Sequence, residues 1–219
     1  MSGLPFFDAG IIVIIFTIIV KLIMLPLSIK ASKSQLEMKH TEKDLQLLKD
    51  KYKDNKEEQS RKIMEYYKEK GINPFASFLI LIIQLPLLIG LYRVFLKSGL
   101  PTIDTSLLYH FVPAPAHIDM VFLGLINIAQ KSITLAILAG ITTYFQINLA
   151  SAGTQGGGSG GEFGKAMQMQ MKYFFPVLMT FIAYTISSAV ALYLITSNLF
   201  AIGQEIYIKK KYHKSIFVE

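Results

Sequence analysis

Apolar residues in this chain gather in long unbroken runs rather than at the spacing of a half-buried helix or strand. Residues 10–28 are nineteen residues interrupted only by Lys21. At about 1.5 Å per residue a helix of that length reaches about 28 Å, close to the roughly 30 Å hydrocarbon thickness of a bilayer. A secretory signal peptide is the competing reading, disfavoured by the length of the run and the lack of basic residues before it. A second span reads from Pro74 to Leu96, opened by Asn73-Pro74 and kinked at Pro86. Residues 133–150 form a third. The last apolar region, residues 173–208, has 36 residues, about 54 Å as one helix and too long for a single crossing. The small polar pair Ser187-Ser188 divides it, so the pattern predicts two short antiparallel helices. Five spans result.

The fold class predicted is an all-α membrane protein with five transmembrane helices and a cytoplasmic helical hairpin between spans 1 and 2. In order, the pieces are residues 1–29 (start and span 1), 30–72 (charged hairpin), 73–96 (span 2), 97–131 (extracytoplasmic), 132–150 (span 3), 151–172 (Gly-rich loop), 173–208 (spans 4 and 5) and 209–219 (basic tail). Within the extracytoplasmic piece, residues 118–129 read either as an interfacial helix or as the outer end of a long third helix. The loop carries seven of the fifteen glycines between Gly153 and Gly164. It reads as a flexible linker, native or introduced, without the spacing of a phosphate-binding loop.

Charge sharpens this picture. Of 37 Lys, Arg, Asp and Glu residues, 21 lie between Lys30 and Lys70, twelve of them basic and nine acidic. The remainder is nearly uncharged, and mean hydropathy is +0.43, which excludes an ordinary soluble domain. With the N-terminus outside, eighteen basic residues fall in cytoplasmic segments, while Arg93, Lys97 and Lys131 fall outside. That asymmetry predicts N-out, C-in. In the hairpin, Leu45, Leu48 and Tyr52 recur at helical spacing, as do Ile63 with Tyr66 or Tyr67, and residues 53–56 read as the turn. Glu57 with Arg61 and Glu58 with Lys62 stand at i,i+4 spacing. The hairpin is read as a docking element rather than a spacer.

Candidate chemistry is sparse. No cysteine is present, and His40, His110, His117 and His213 are scattered, so neither a metal site nor a catalytic constellation is expected. No cofactor is expected either, and no specific nucleic acid. The costly residue is Lys21. A lysine near mid-span costs about 2.5–3.5 kcal/mol on insertion scales, so it is expected to face a wet cavity or a partner rather than to snorkel. Thr17 lies one turn earlier on the same face. Gln84, Gln146, Asn148, Ser197 and Asn198 add polar groups within spans. Each reads singly as an interhelical hydrogen bond, and together as the lining of a hydrophilic groove. No Asp or Glu lies deep in a span, which weighs against ion-coupled transport.

FTIIVKLIMLPLSIKAS (16–32), GINPFASFLILIIQLPLLIGLYRVF (71–95), MQMQMKYFFPVLMTF (167–181) and AVALYLITSNLFAIGQ (189–204), in that order around a charged hairpin, resemble the YidC-type membrane protein insertases and their Oxa-type and Albino-type relatives. The resemblance implies residence in a bacterial plasma (inner) membrane and a groove open to cytoplasm and lipid but closed outside. Nascent membrane protein clients and lipids are the partners it implies, with the ribosome, a Sec translocon and a targeting receptor as further candidates. It makes Thr17 and Lys21 the polar floor and turns Tyr193 to the client's path. Lys21 stands where the family usually has arginine, keeping the charge without the planar fork, and Leu194 stands where a second tyrosine is common. Relatives often carry a large extracytoplasmic domain or a lipoprotein signal before the first core span, so the chain reads as a minimal or a shortened member. A small transporter or channel using the same groove, and an assembly factor that only holds other subunits, are the alternatives.

Overall fold

The computed structural model describes residues 8–73, 86–87, 89–90, 93, 119–151 and 169–216. Most of them are helical: α1 (Ala9–Ile23), α2 (Leu25–His40), α3 (Glu42–Lys51), α4 (Lys56–Glu69), α5 (Ile133–Ser151), α6 (Phe175–Ile186) and α7 (Ser188–Ile216). A short π-helical stretch, Gln170–Phe174, precedes α6, and a two-stranded antiparallel ribbon is formed by β1 (Val121–Phe122) and β2 (Ile126–Asn127), with Phe122 opposite Ile126. The described residues form two compact units. One takes in α1, the ribbon, α5 as far as Thr143, α6, and α7 as far as Phe200. The other takes in α2–α4, Tyr144 onward in α5, the π-helical stretch before α6, and α7 from Ala201.

In the first unit α1 sorts its residues cleanly. Ala9, Val13 and Thr17 are buried at four-residue spacing, while Ile12, Ile15, Phe16 and Ile19 are exposed, as expected for a helix with protein on one side and lipid on the other. The first uninterrupted span predicted, 10–28, is broken at Met24. Pro26 is the cause: it lacks an N–H for Leu22, and its ring crowds that carbonyl. The start of α7 is buried on every side from Ser188 to Leu194, in one core with Ala136 and Ala139 of α5 and Ala183 of α6. Gly140 of α5 lies so close to α6 that a Cβ would stand 3.3 Å from the Pro176 carbonyl oxygen and collide with Thr180 Oγ1.

Residues 119–129 correct the prediction of a helix over 118–129, residue 118 lying outside the described residues. The ribbon turns through Leu123 (φ 52°) and Gly124 (φ 71°), with Leu125 N–H donating to the Phe122 carbonyl at 3.0 Å. Two successive positive φ values are the signature of a type I′ turn, and Gly124 supplies the second without steric cost. Hydropathy alone could not separate a short ribbon from a short helix.

The second unit contains the helical hairpin. Leu45 of α3 and Tyr67 of α4 are its most buried residues, packed with Met38, Ile72, Ile63 and Tyr66. Asn55 Oδ1 accepts from Glu58 N–H at 3.1 Å and caps α4 from within the predicted turn. The charged pairs are Glu58–Arg61 at 3.8 Å and Lys62–Glu65 at 2.8 Å, both i,i+3. The i,i+4 pairs predicted with Arg61 and Lys62 do not form, since side chains three apart are equally close on a helix.

Two helices are individually long and apolar enough to cross a membrane: residues 133–150, with mean hydropathy 1.5, and 188–211, with 1.3. Residues 9–38 count as a third when α1 and α2 are taken together, and Lys172–Ile186 is shorter. The break at Ser187 falls where predicted. The last helix nevertheless runs 29 residues, about 43 Å, through most of the predicted basic tail. That lysine-rich stretch contains no glycine or proline to stop it. Most of the predicted second span, with Gln84, lies outside the described residues.

Candidate functional site

Lys21 is twelve residues past Ala9, on the register Ala9, Val13, Thr17, Lys21, and is half-buried. It therefore extends the protein-facing stripe of α1 rather than the exposed apolar face. Thr17 above it is 1% exposed, and its Oγ1 donates to the Val13 carbonyl at 2.6 Å. A hydroxyl satisfied within its own helix turn adds polarity to the stripe without needing a partner from another helix.

The other predicted residues divide by surroundings. Tyr193 is 1% exposed in the core that also holds Val13, and Ser197 is buried one turn later on α7. Asn198 is held by α5. Its Nδ2 donates to Thr143 Oγ1 at 2.8 Å and Thr142 Oγ1 at 3.1 Å, with the Ala139 carbonyl 3.5 Å away. It is an interhelical clamp, the role a buried amide takes when no water is near. Gln146 and Asn148 belong to the second unit and are half-buried.

Sequence reasoning missed three polar clusters. Asp8 is buried; its Oδ1 accepts from Ile11 N–H at 2.8 Å, capping α1, and its Oδ2 accepts from Leu123 N–H at 2.9 Å, gripping the ribbon. Asp before an apolar run was the available signal. In the second unit, Ser28 Oγ donates to Gln204 Oε1 at 2.8 Å and Ser32 Oγ to Glu205 Oε2 at 2.9 Å. Serines four apart on α2 thus meet adjacent acceptors on α7. Lys209 lies 3.6 Å from Glu205 and also donates to the Leu149 carbonyl in the last turn of α5, where a cation offsets unpaired carbonyls. The third cluster is in the hairpin: Tyr66 OH donates to Asp44 Oδ2 at 2.6 Å. Burial and that carboxylate push the phenol up to about 12.

Among the described residues no group of three or more His, Cys, Asp or Glu side chains is placed to hold a metal. Among the described residues the arrangement offers fixed charge, hydroxyls and packing.

A sequence model of the 60Kd inner membrane protein family matches residues 4–215. The Membrane protein insertase YidC of Fusobacterium nucleatum subsp. nucleatum is 34% identical over 202 residues, covering 92% of this chain and 86% of that protein. Its counterpart of the same name in Clostridium tetani is 32% identical over 207 residues, covering 94% and 84%. The one in Francisella tularensis subsp. novicida is 29% identical over 203 residues, which make up 93% of this chain but 33% of that longer protein. With nearly its whole length matched, and with apolar helices of spanning length, the chain belongs to the 60Kd inner membrane protein family.

Proposed function

We propose that the chain is a membrane protein insertase that passes client transmembrane segments into lipid by way of a polar groove, without bond-making chemistry. The observation that carries this reading is the place of Lys21, on the protein-facing register of α1 directly below Thr17, in a chain whose relatives bear the insertase name. A client's apolar segment gains by entering lipid, and its polar flank is the obstacle. A wet groove shortens the hydrocarbon path of that flank, and a fixed cation favours an acidic one. Thr17 and Lys21 are the polar floor, with Tyr193 and Ser197 as the facing part of α7. Asn198 holds α7 to α5 beside them.

The topology proposed is five spans, N-terminus outside and C-terminus cytoplasmic, in a bacterial inner membrane, on the strength of the eighteen-to-three distribution of basic residues. The charged hairpin then faces the cytoplasm and takes part in early client capture. The ribosome, a Sec translocon and a targeting receptor are further proposed partners. Reconstituted vesicles holding only this protein test the reading. Insertion of a small single-span client without solute flux supports it. Ion or solute flux without insertion would replace it with a channel, and equal insertion by protein-free vesicles would reduce it to a holding role.

A further inference from the structure

The ribbon sits beside the first turn of α1 and does not project away from it. Phe122 packs on Gly10 so tightly that a Cβ there would come within 2.7 Å of its ring, and Leu123 N–H bonds to Asp8. At its base the ribbon is tied to the start of α7. Gln130 O accepts from Ser188 N–H at 2.8 Å and from Ser188 Oγ at 2.6 Å, and the Ile128 carbonyl accepts from Ala189 N–H at 3.0 Å. Lys131 lies over the ring of Tyr184, 5.9 Å from its centroid, a pairing suited to the headgroup level. Despite these anchors, Leu123 is 63% and Leu125 82% exposed.

Charge is placed the opposite way. No charged residue occurs between Asp119 and Lys131; both are at the base and exposed, while the turn carries only leucine and glycine. A short strand edge in water is ordinarily protected by charges. This one has none, and Leu123 at its tip is tied to Asp8 at the first turn of α1. Unpaired strand-edge groups are too costly for the hydrocarbon core, so the edges belong at the interface and only the tip side chains below it.

We infer that the ribbon tip is a lipid contact: Leu123 and Leu125 lie at the headgroup–acyl boundary of the leaflet in which α1 begins. The inference rests on membership of an inner-membrane family, and on neither the insertase reading nor which face is outside. Asp8 then couples the depth of the tip to the first turn of α1, and Lys21 follows about 20 Å further along that helix.

The chain contains neither Trp nor Cys, so a single reporter is unambiguous. Leu125→Trp, in nanodiscs of phosphatidylcholine and phosphatidylglycerol with both membrane faces open to solvent, is compared with Lys53→Trp on the exposed hairpin turn. The expected result is blue-shifted emission for the Trp at 125, strong quenching by lipids labelled near the headgroup and weak quenching by aqueous iodide. Should the tryptophan disturb folding, Leu125→Cys is expected to react with a water-soluble maleimide several-fold more slowly than Lys53→Cys, and faster with a lipid-soluble one. Emission and iodide quenching equal to the hairpin reference would place the tip in water and overturn the inference. Shielding from both quenchers would also overturn it, by assigning the tip to a protein partner or a second copy.

Discussion

Gly140 gives the structure its most quantitative test. A methyl group added there would collide with Thr180 Oγ1 and approach the Pro176 carbonyl oxygen and Thr180 Cβ to 3.3 Å. Thr180 cannot simply swing aside, because its hydroxyl already donates to the Pro176 carbonyl at 3.0 Å and α5 and α6 are continuous helices here. Overpacking of this kind costs about 1–3 kcal/mol, against about 0.5–1 kcal/mol returned by replacing glycine with alanine within a helix. Gly140→Ala should therefore destabilise the protein by about 1–2 kcal/mol. Thr180→Ala alone should cost well under about 1 kcal/mol, since it loses only a local bond from the helix to itself. Together they should be close to wild type, because the colliding atom has gone and the helix gain remains. The double mutant would then be more stable than the sum of the singles by about 1–2 kcal/mol. Unfolding in bicelles, followed by thermal or denaturant titration, measures all four proteins. A Gly140→Ala variant as stable as wild type, or a double mutant no better than additive, would refute this account of the α5–α6 approach.

Other expectations are simpler. Tyr67 is 3% exposed, and its buried phenol has no hydrogen-bond partner among the described residues; Tyr67→Phe should be neutral or stabilise the hairpin by about 1 kcal/mol, and a large loss by thermal melting would mean the hydroxyl is engaged. Glu205→Ala removes the acceptor of Ser32 and the carboxylate beside Lys209, so it should cost about 1–3 kcal/mol, with Glu205→Gln milder. Protease cleavage near residues 33–40 should rise in the same order, and equal behaviour of the two variants would contradict this. Tyr66 has its phenol raised from 10.0 to about 12 by burial and Asp44. Its contribution is complete below pH 10 and lost as pH rises towards 12, and Tyr66→Phe should flatten that alkaline loss in hydrogen-exchange measurements.

Helices and their punctuation were readable because each rests on local chemistry. The hairpin turn, the break at Ser187 and the start of α5 follow from side chains that cap, turn or interrupt. The division of α1 at Met24 was encoded by Pro26, but it was hidden beneath an apolar run that hydropathy averages over. Residues 119–129 defeated the pattern because two-residue strands are too short to show an alternation. The candidate site was legible to the extent that cost reveals it. Lys21 stands out in any apolar run, and register alone puts Thr17 with it. The bonds of Asp8 to Leu123, of Ser32 to Glu205 and of Lys209 to Leu149 were not legible, because these partners stand 115, 173 and 60 residues apart in sequence, whereas the Asp8 cap on Ile11 and the Glu205–Lys209 pair are local. Asn198 was read singly as an interhelical hydrogen bond and with others as groove lining; its commitment to Thr142 and Thr143 depends on the packing of α7 on α5.

The most direct test of the central claim is the insertion rate, in vesicles of this protein alone, of a single-span client with an acidic translocated tail. It is measured for wild type, Lys21→Arg, Lys21→Ala and Lys21→Glu at matched folded levels. A fixed cation facing the client predicts that arginine is tolerated, alanine is impaired and glutamate is worst, with the deficit smaller for a client whose tail is neutral. Equal insertion by Lys21→Glu and wild type would contradict it and leave Lys21 a bystander near the C-terminal end of α1.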